Sequence, residues 1–215
     1  MASAARRAGR SPDGITLMAV SKTVEPERIR EAYAAGIRVF GENRVREFEE
    51  KAPALRELAG AEWHLIGHLQ SNKANKAAEL FGAIDSVDSV KLARKLDSAA
   101  LRALPVLIEI NIGGETAKSG LAPDAAELEE LLRSELPKVK IRGLMAIPPF
   151  TEDPEGARPY FRRLRELRDE IAGRKLPGVS MDVLSMGMSH DLEVAIEEGS
   201  TCVRVGTAIF GSRSG

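Results

Sequence analysis

Eight short apolar runs, each trailed by a stretch with helical periodicity, place the strongest constraint on how this chain can fold. They cover 15–21, 39–41, 63–67, 83–87, 106–112, 139–147, 181–185 and 202–206. Where no insertion intervenes, their starts recur about every 24 residues. Runs this short and this apolar read as strands buried on both faces of a parallel sheet. Between them, apolar residues step by three and four: Val90, Ala93, Leu96, Ala100 and Leu104; Leu128, Leu131, Leu132 and Leu136; Phe161, Leu164, Leu167 and Ile171. Strict strand–helix alternation implies right-handed crossovers, and eight units predict a (β/α)8 TIM barrel. With 215 residues against the about 250 typical of that fold, the loops must be short. An open doubly wound sheet is the competing arrangement, but no Gly-x-Gly-x-x-Gly follows the first run and no Walker A loop occurs.

The punctuation agrees with this division. Pro26 and Pro123 suit first helical turns, Ser71 and Ser189 suit N-caps, and Asp88-Ser89 suits the start of a helix. Gly36, Gly60, Gly82, Gly173 and Gly199 stand just past periodic stretches, where helices stop. Pro53 should divide the helix after Arg44 into two pieces. The first ten residues are basic and alanine-rich but lack an apolar core, and they run directly into Ser11-Pro12-Asp13-Gly14. They read as a short leading helix rather than a transit peptide. No repeat, low-complexity tract or linker marks a second domain, so residues 1–215 are expected to form a single barrel domain.

Composition narrows the function classes. Lys plus Arg number 31 against 32 for Asp plus Glu, a net charge of -1 that favours neither nucleic acid nor an anionic membrane. Aromatic residues are only 4% of the chain, so the core must be largely aliphatic. No apolar run approaches the roughly 20 residues of a membrane span. The lone Cys202 excludes an internal disulfide and suits a reducing compartment, and a cytoplasmic location is expected.

In a barrel, reactive groups sit at the carboxyl ends of the strands. Those ends carry Lys22, Glu42-Asn43, Gly67-His68, Asn111, Met145 to Pro148, Ser185-Met186-Gly187 and Arg204-Val205-Gly206-Thr207. A lysine on a loop is ordinarily a solvated surface charge. However, glycine-containing turns after strands seven and eight are where many barrels hold a phosphate on backbone N–H groups. Ser185-Met186-Gly187-Met188-Ser189 and Gly206-Thr207-Ala208 supply such turns, with Ser185 and Thr207 adding hydroxyls. An amine facing a phosphate site points either to a Schiff-base aldolase or to a pyridoxal phosphate (PLP) protein.

The chain also resembles the PLP homeostasis proteins (YggS/PROSC-like), which are related to the N-terminal barrel of alanine racemase. The resemblance rests on Ala19-Val20-Ser21-Lys22-Thr23, Phe40-Gly41-Glu42-Asn43, the stretch from Trp63 to Lys73, and Asn111 through Gly120. Arg142 to Pro148, Leu184 to Ser189 and Gly199 to Gly211 complete it, so it spans nearly the whole chain. It implies a fold-type III PLP protein with an internal aldimine on Lys22. It further implies that Asn43, His64 and Met145 line the cofactor cleft and that Ser185, Met186, Gly206 and Thr207 belong to the phosphate end. Arg204 would face the pyridine nitrogen. Two departures stand out: the segment before Ser11 is short, and Arg44 stands where many relatives carry a tyrosine.

The resemblance implies a carrier or regulator of intracellular PLP and amino-acid balance, with apo PLP-dependent enzymes as candidate recipients; with no dimer-forming second domain expected, a monomer is expected. The alternative is a PLP-dependent amino-acid racemase or lyase using Lys22 as its base. Racemases of this type add a second domain bearing an opposing tyrosine. Here only Tyr33 and Tyr160 occur, both in helical stretches, and nothing after Gly211 could build such a domain. Other signals carry no chemistry at this level. His64 and His68 fall on a strand and its end, without the clustered ligands zinc needs. Asp85 and Asp88 could serve as acid–base groups, but Asp88 suits a helix start. Cys202 reads as a small core residue, and 162–170 reads as a solvated helix face.

Overall fold

The computed structural model describes residues 1–211. Residues 212–215 of the expected barrel domain lie outside the described residues. Eight strands, β1 (Thr16–Val20), β2 (Val39–Glu42), β3 (Glu62–Leu65), β4 (Ala83–Val87), β5 (Leu104–Glu109), β6 (Val139–Met145), β7 (Val179–Ser185) and β8 (Cys202–Val205), close into a parallel barrel in chain order. All eight coincide with the apolar runs, and the TIM barrel expected from their number is the fold.

Around it lie α1 (Ala2–Arg7), α2 (Pro26–Ala34), α3 (Val45–Lys51), α4 (Ala74–Leu80), α5 (Val90–Ala99), α6 (Ala126–Arg133), α7 (Arg158–Gly173), α8 (Leu192–Glu197) and α9 (Thr207–Phe210). Their apolar stripes cover the outward residues of the strands, as in Leu128, Leu131 and Leu132 of α6 within the main core. On the β8 side the leading helix does this: Ala4 and Ala5, fully buried, pack with Val203, Val205 and Ile196. Side chains small enough for that close approach explain why the first residues are alanines. No described helix is long and apolar enough to cross a membrane.

Several local expectations change. Leu104 opens β5 rather than ending the preceding helix, because its N–H donates to the Lys138 carbonyl at 2.9 Å while the backbone at Ala100 is already extended. Pro123 stands three residues before α6, and Ser71 opens a 3-10 turn without a capping bond. Asp191, not Ser189, precedes α8, and its Oδ1 accepts from the Met188 N–H at 2.6 Å. Ser89 caps α5 as expected, and Pro53 ends α3 in a 3-10 turn over Ala52–Leu55. The charged face of α7 is not wholly solvated: Arg158, Arg162 and Arg165 converge on Glu198, which is buried at the end of α8.

Within the β6 wall, glycine is forced at Gly143. Gly143 sits where the β5–β6 and β6–β7 registers slip, at φ 158°, and a Cβ there would lie 1.7 Å from the Val183 carbonyl oxygen.

Candidate functional site at the carboxyl-terminal mouth

Alternation along β1 decides which way Lys22 faces. Ala19 packs with the helices, whereas Val20 and Lys22 line a cavity of about 740 Å³ at the carboxyl-terminal mouth of the barrel. Arg204, Ser189, Gly206 and Thr207 line the same cavity. Gly206 precedes α9, and Thr207 is its exposed first residue. The Ser189 hydroxyl stands 3.5 Å from the Ala208 N–H, so the two glycine-containing turns meet at one rim. Gly187 makes that meeting possible: it holds φ 93°, and a Cβ would lie 2.4 Å from the Ala195 Cβ of α8.

Arg204 points into the barrel and is 3% exposed. It donates to Ser185 Oγ at 2.6 Å and to the Ala146 carbonyl at 2.9 Å. Burial pulls its pKa down, opposed by Cys202, Asp85, Asp191 and Glu109. A guanidinium has five N–H donors, so these two bonds leave others for a ligand.

The expected site residues divide. Lys22, Arg204, Gly206 and Thr207 come together on one cavity. Asn43 follows β2 at the same end of the barrel and is half-buried. Met145, fully buried, ends β6 in register with Glu109 and Ser185. Ser185 does not reach the rim: its hydroxyl is buried beneath it and accepts from Arg204. The rim hydroxyl of that turn is Ser189, four residues further on. Met186 also departs from expectation. Strand alternation sends its side chain outward into the helix-facing core, and its N–H and carbonyl are bound to Cys202 and Ser200.

His64 lies in the other half of the barrel. In register with Gly41, it lines a cavity of about 690 Å³ together with Thr16, Val39, Glu62, Ala83 and Cys202, the first residues of their strands. That is the amino-terminal mouth. His64 Nδ1–H donates to Asp85 Oδ1 at 3.0 Å, and Glu62 Oε2 lies 3.9 Å from Nε2. Burial lowers the imidazole pKa, but Asp85 and Glu62 outweigh it and the net shift is upward. Cys202 is buried nearby, its thiol pushed up to about 12 mainly by burial, which leaves it unreactive.

Two groups near the carboxyl-terminal mouth escaped sequence reasoning. Glu109 directs an oxygen, Oε2, into the interior with no hydrogen-bond partner among the described residues. Burial and Asp88 push its carboxyl up to about 7, against the pull of Arg204 and His68. The second is a set of buried ionic bonds among Ser21, Glu42, Glu47 and Lys51 behind the Lys22 turn. Spacing marks only the Glu47–Lys51 pair, four apart on α3; the other partners come from different elements.

The barrel carries a lysine just past its first strand and an arginine inside its last, and the family comparison assigns it to the alanine-racemase type. The family model described as alanine racemase, N-terminal domain, matches residues 2–214. An alanine racemase from Corynebacterium glutamicum shares the fold at TM-score 0.68 and 18% identity, covering 99% of this chain and 59% of its own. Much nearer is the pyridoxal phosphate homeostasis protein of Aquifex aeolicus, 50% identical over 98% of this chain and 92% of its own length. The structure of PipY from Synechococcus elongatus with PLP bound is 41% identical, with TM-score 0.84 over 96% of this chain and 97% of PipY. The chain belongs to the family of pyridoxal phosphate homeostasis proteins.

Proposed function

We propose that this chain binds pyridoxal 5'-phosphate covalently on Lys22 and acts as a carrier or regulator of intracellular PLP and, with it, of amino-acid balance. The observation that carries this reading is the convergence of Lys22, Arg204 and the Ser189–Gly206–Thr207 rim on a single cavity. Its volume, about 740 Å³, lies within the range of small-molecule sites. The donor set suits the group: hydroxyls and glycine turns for a phosphate, an amine for an aldehyde, and a buried guanidinium for a ring nitrogen.

Lys22 would hold the cofactor through its Nζ, condensing with the aldehyde as the two amine protons leave with the carbonyl oxygen as water. Ser189, Gly206 and Thr207 hold the phosphate, and Met145 and Asn43 border the ring end. Arg204, with N–H groups left over from its bonds to Ser185 and Ala146, would hold the ring nitrogen. PLP, when bound, supplies an electron-withdrawing ring that is most effective with its nitrogen protonated. A guanidinium stays protonated and therefore leaves that nitrogen without a proton. Arg204, fixed by Ser185 and Ala146, thus favours holding the cofactor over carbanion chemistry. The two tyrosines support the same reading: both lie on outer helices, and Tyr33 Oη donates to the Ala59 carbonyl at 2.6 Å. The recipients are apo PLP-dependent enzymes, the compartment is the cytoplasm, and the protein works as a monomer.

Purified protein given PLP should show a visible absorption band that borohydride bleaches, and Lys22→Ala should lack it. A band retained in Lys22→Ala would reject the assignment. Sustained turnover of an amino acid, abolished by Lys22→Ala, would replace the carrier with a racemase or lyase.

A further inference from the structure

The Lys22 turn is gripped from behind. Lys51, at the end of α3, projects an ammonium that is almost fully buried, with its side chain 9% exposed. Its three protons meet three acceptors: the Ser21 carbonyl at 2.9 Å, Glu42 Oε1 at 3.0 Å and Glu47 Oε1 at 3.3 Å. Glu42 also accepts from Ser21 Oγ at 2.7 Å, and Glu47 accepts from the Thr23 N–H at 2.5 Å. The backbone is therefore held at Ser21 and at Thr23, the two neighbours of Lys22.

What this grip maintains is a costly conformation. Thr23 is β-branched yet holds φ 60°, a left-handed backbone that such residues rarely adopt. Strain of this kind persists only where surrounding structure over-determines it, and it collects at functional turns. A buried ion pair, for its part, adds little net stability relative to apolar packing. Glu42 is fully buried, and its Oε2 has no hydrogen-bond partner among the described residues. Neither feature is accounted for by stability alone. Both are accounted for if the network sets the direction of the side chain between its two anchor points.

We infer that Lys51, acting through Ser21, Glu42 and Glu47, is a positioning residue that aims the Lys22 amine into the carboxyl-terminal cavity. The inference rests on the reading of Lys22 as the point of PLP attachment, and it adds residues that never touch the cofactor. Placement errors near 1 Å at a reacting atom lower rates by up to about a hundredfold. Losing one of several anchors should cost about a tenth of that, roughly tenfold in the rate of bond formation to Lys22.

The test follows two signals in apo protein: the rate of the visible band after adding PLP, and the pH profile of Lys22 acetylation by acetic anhydride, quantified by peptide mass. The second signal needs no PLP, so failure of the PLP reading leaves it intact. Lys51→Met and Glu47→Ala should slow the band about tenfold and move the acetylation profile away from that of wild type. Glu47→Gln, which keeps an acceptor for the Thr23 N–H, should restore most of the rate. If Lys51→Met alone fails to fold, the double variant Lys51→Met/Glu42→Gln removes the stranded carboxylate and takes its place. Phe48→Leu, on the same helix but packed on Trp63 and Phe81, controls for stability and should change neither signal. Wild-type rate and profile in a folded Lys51 or Glu47→Ala variant would overturn the inference. Equal losses in Phe48→Leu would overturn it as well.

Discussion

Replacing Glu109 with glutamine isolates one buried charge at the inner end of the site. In the folded chain its carboxyl is raised from the ordinary 4.5 to about 7, first by burial and then by Asp88 after β4, while Arg204 on β8 and His68 after β3 pull the other way. The folded state therefore binds this proton more tightly than the unfolded chain. A carboxyl raised in this way is neutral for folding below about pH 4.5 and becomes destabilising as pH climbs toward and past 7. Each tenfold gain in proton affinity is worth about 1.4 kcal/mol, so the full penalty of the ionised form is about 3 kcal/mol. Glutamine, close in shape to the protonated acid, never incurs it. Urea unfolding of wild type and Glu109→Gln at pH 4.5 and pH 8 reads the effect directly. The variant's advantage should grow by about 3 kcal/mol between the two pH values. Other titrating groups, His64 among them, are common to both proteins and drop out of the difference. A stability difference that is the same at both pH values would refute the reasoning.

Two other outcomes distinguish the two mouths of the barrel. Asp85→Asn should destabilise the fold by about 1–3 kcal/mol through its lost bond to His64, yet leave PLP binding at the wild-type level in a titration. The imidazole's raised pKa makes this contribution complete below its unfolded value and lost as pH rises through the folded one. Ser185→Ala should cost a similar amount, about 1–3 kcal/mol, for a buried guanidinium left short of an acceptor, but also weaken PLP binding as Arg204 loses its anchor.

Much of this architecture was legible from residue order. Eight aliphatic runs at a steady interval allow few folds other than a closed barrel, and Lys22 at the end of the first run placed an amine at the carboxyl-terminal mouth. Two of the expected site residues, His64 and Ser185, differ from their expected place by depth along a strand. His64 and Lys22 are both polar residues near the ends of apolar runs, but His64 lines the amino-terminal cavity together with the first residues of the neighbouring strands. Ser185 and Ser189 share one glycine turn, yet only Ser189 clears the strand. Leu104 satisfies a helical step and a strand start equally well, and only its bond to Lys138 decides. The grip on the Lys22 turn was out of reach for a different reason. Glu42 stands at a strand end and Lys51 in a helical stretch, and residue order does not join them until the turn from β2 into α3 folds one over the other.

The central claim is that the Lys22 Nζ is the atom to which the cofactor is joined. Borohydride reduction of the PLP-loaded protein, followed by peptide mass mapping, tests it most directly. A single reduced pyridoxyl adduct on Lys22, lost in Lys22→Ala, is the predicted result. An adduct on another lysine, or none anywhere, would contradict it.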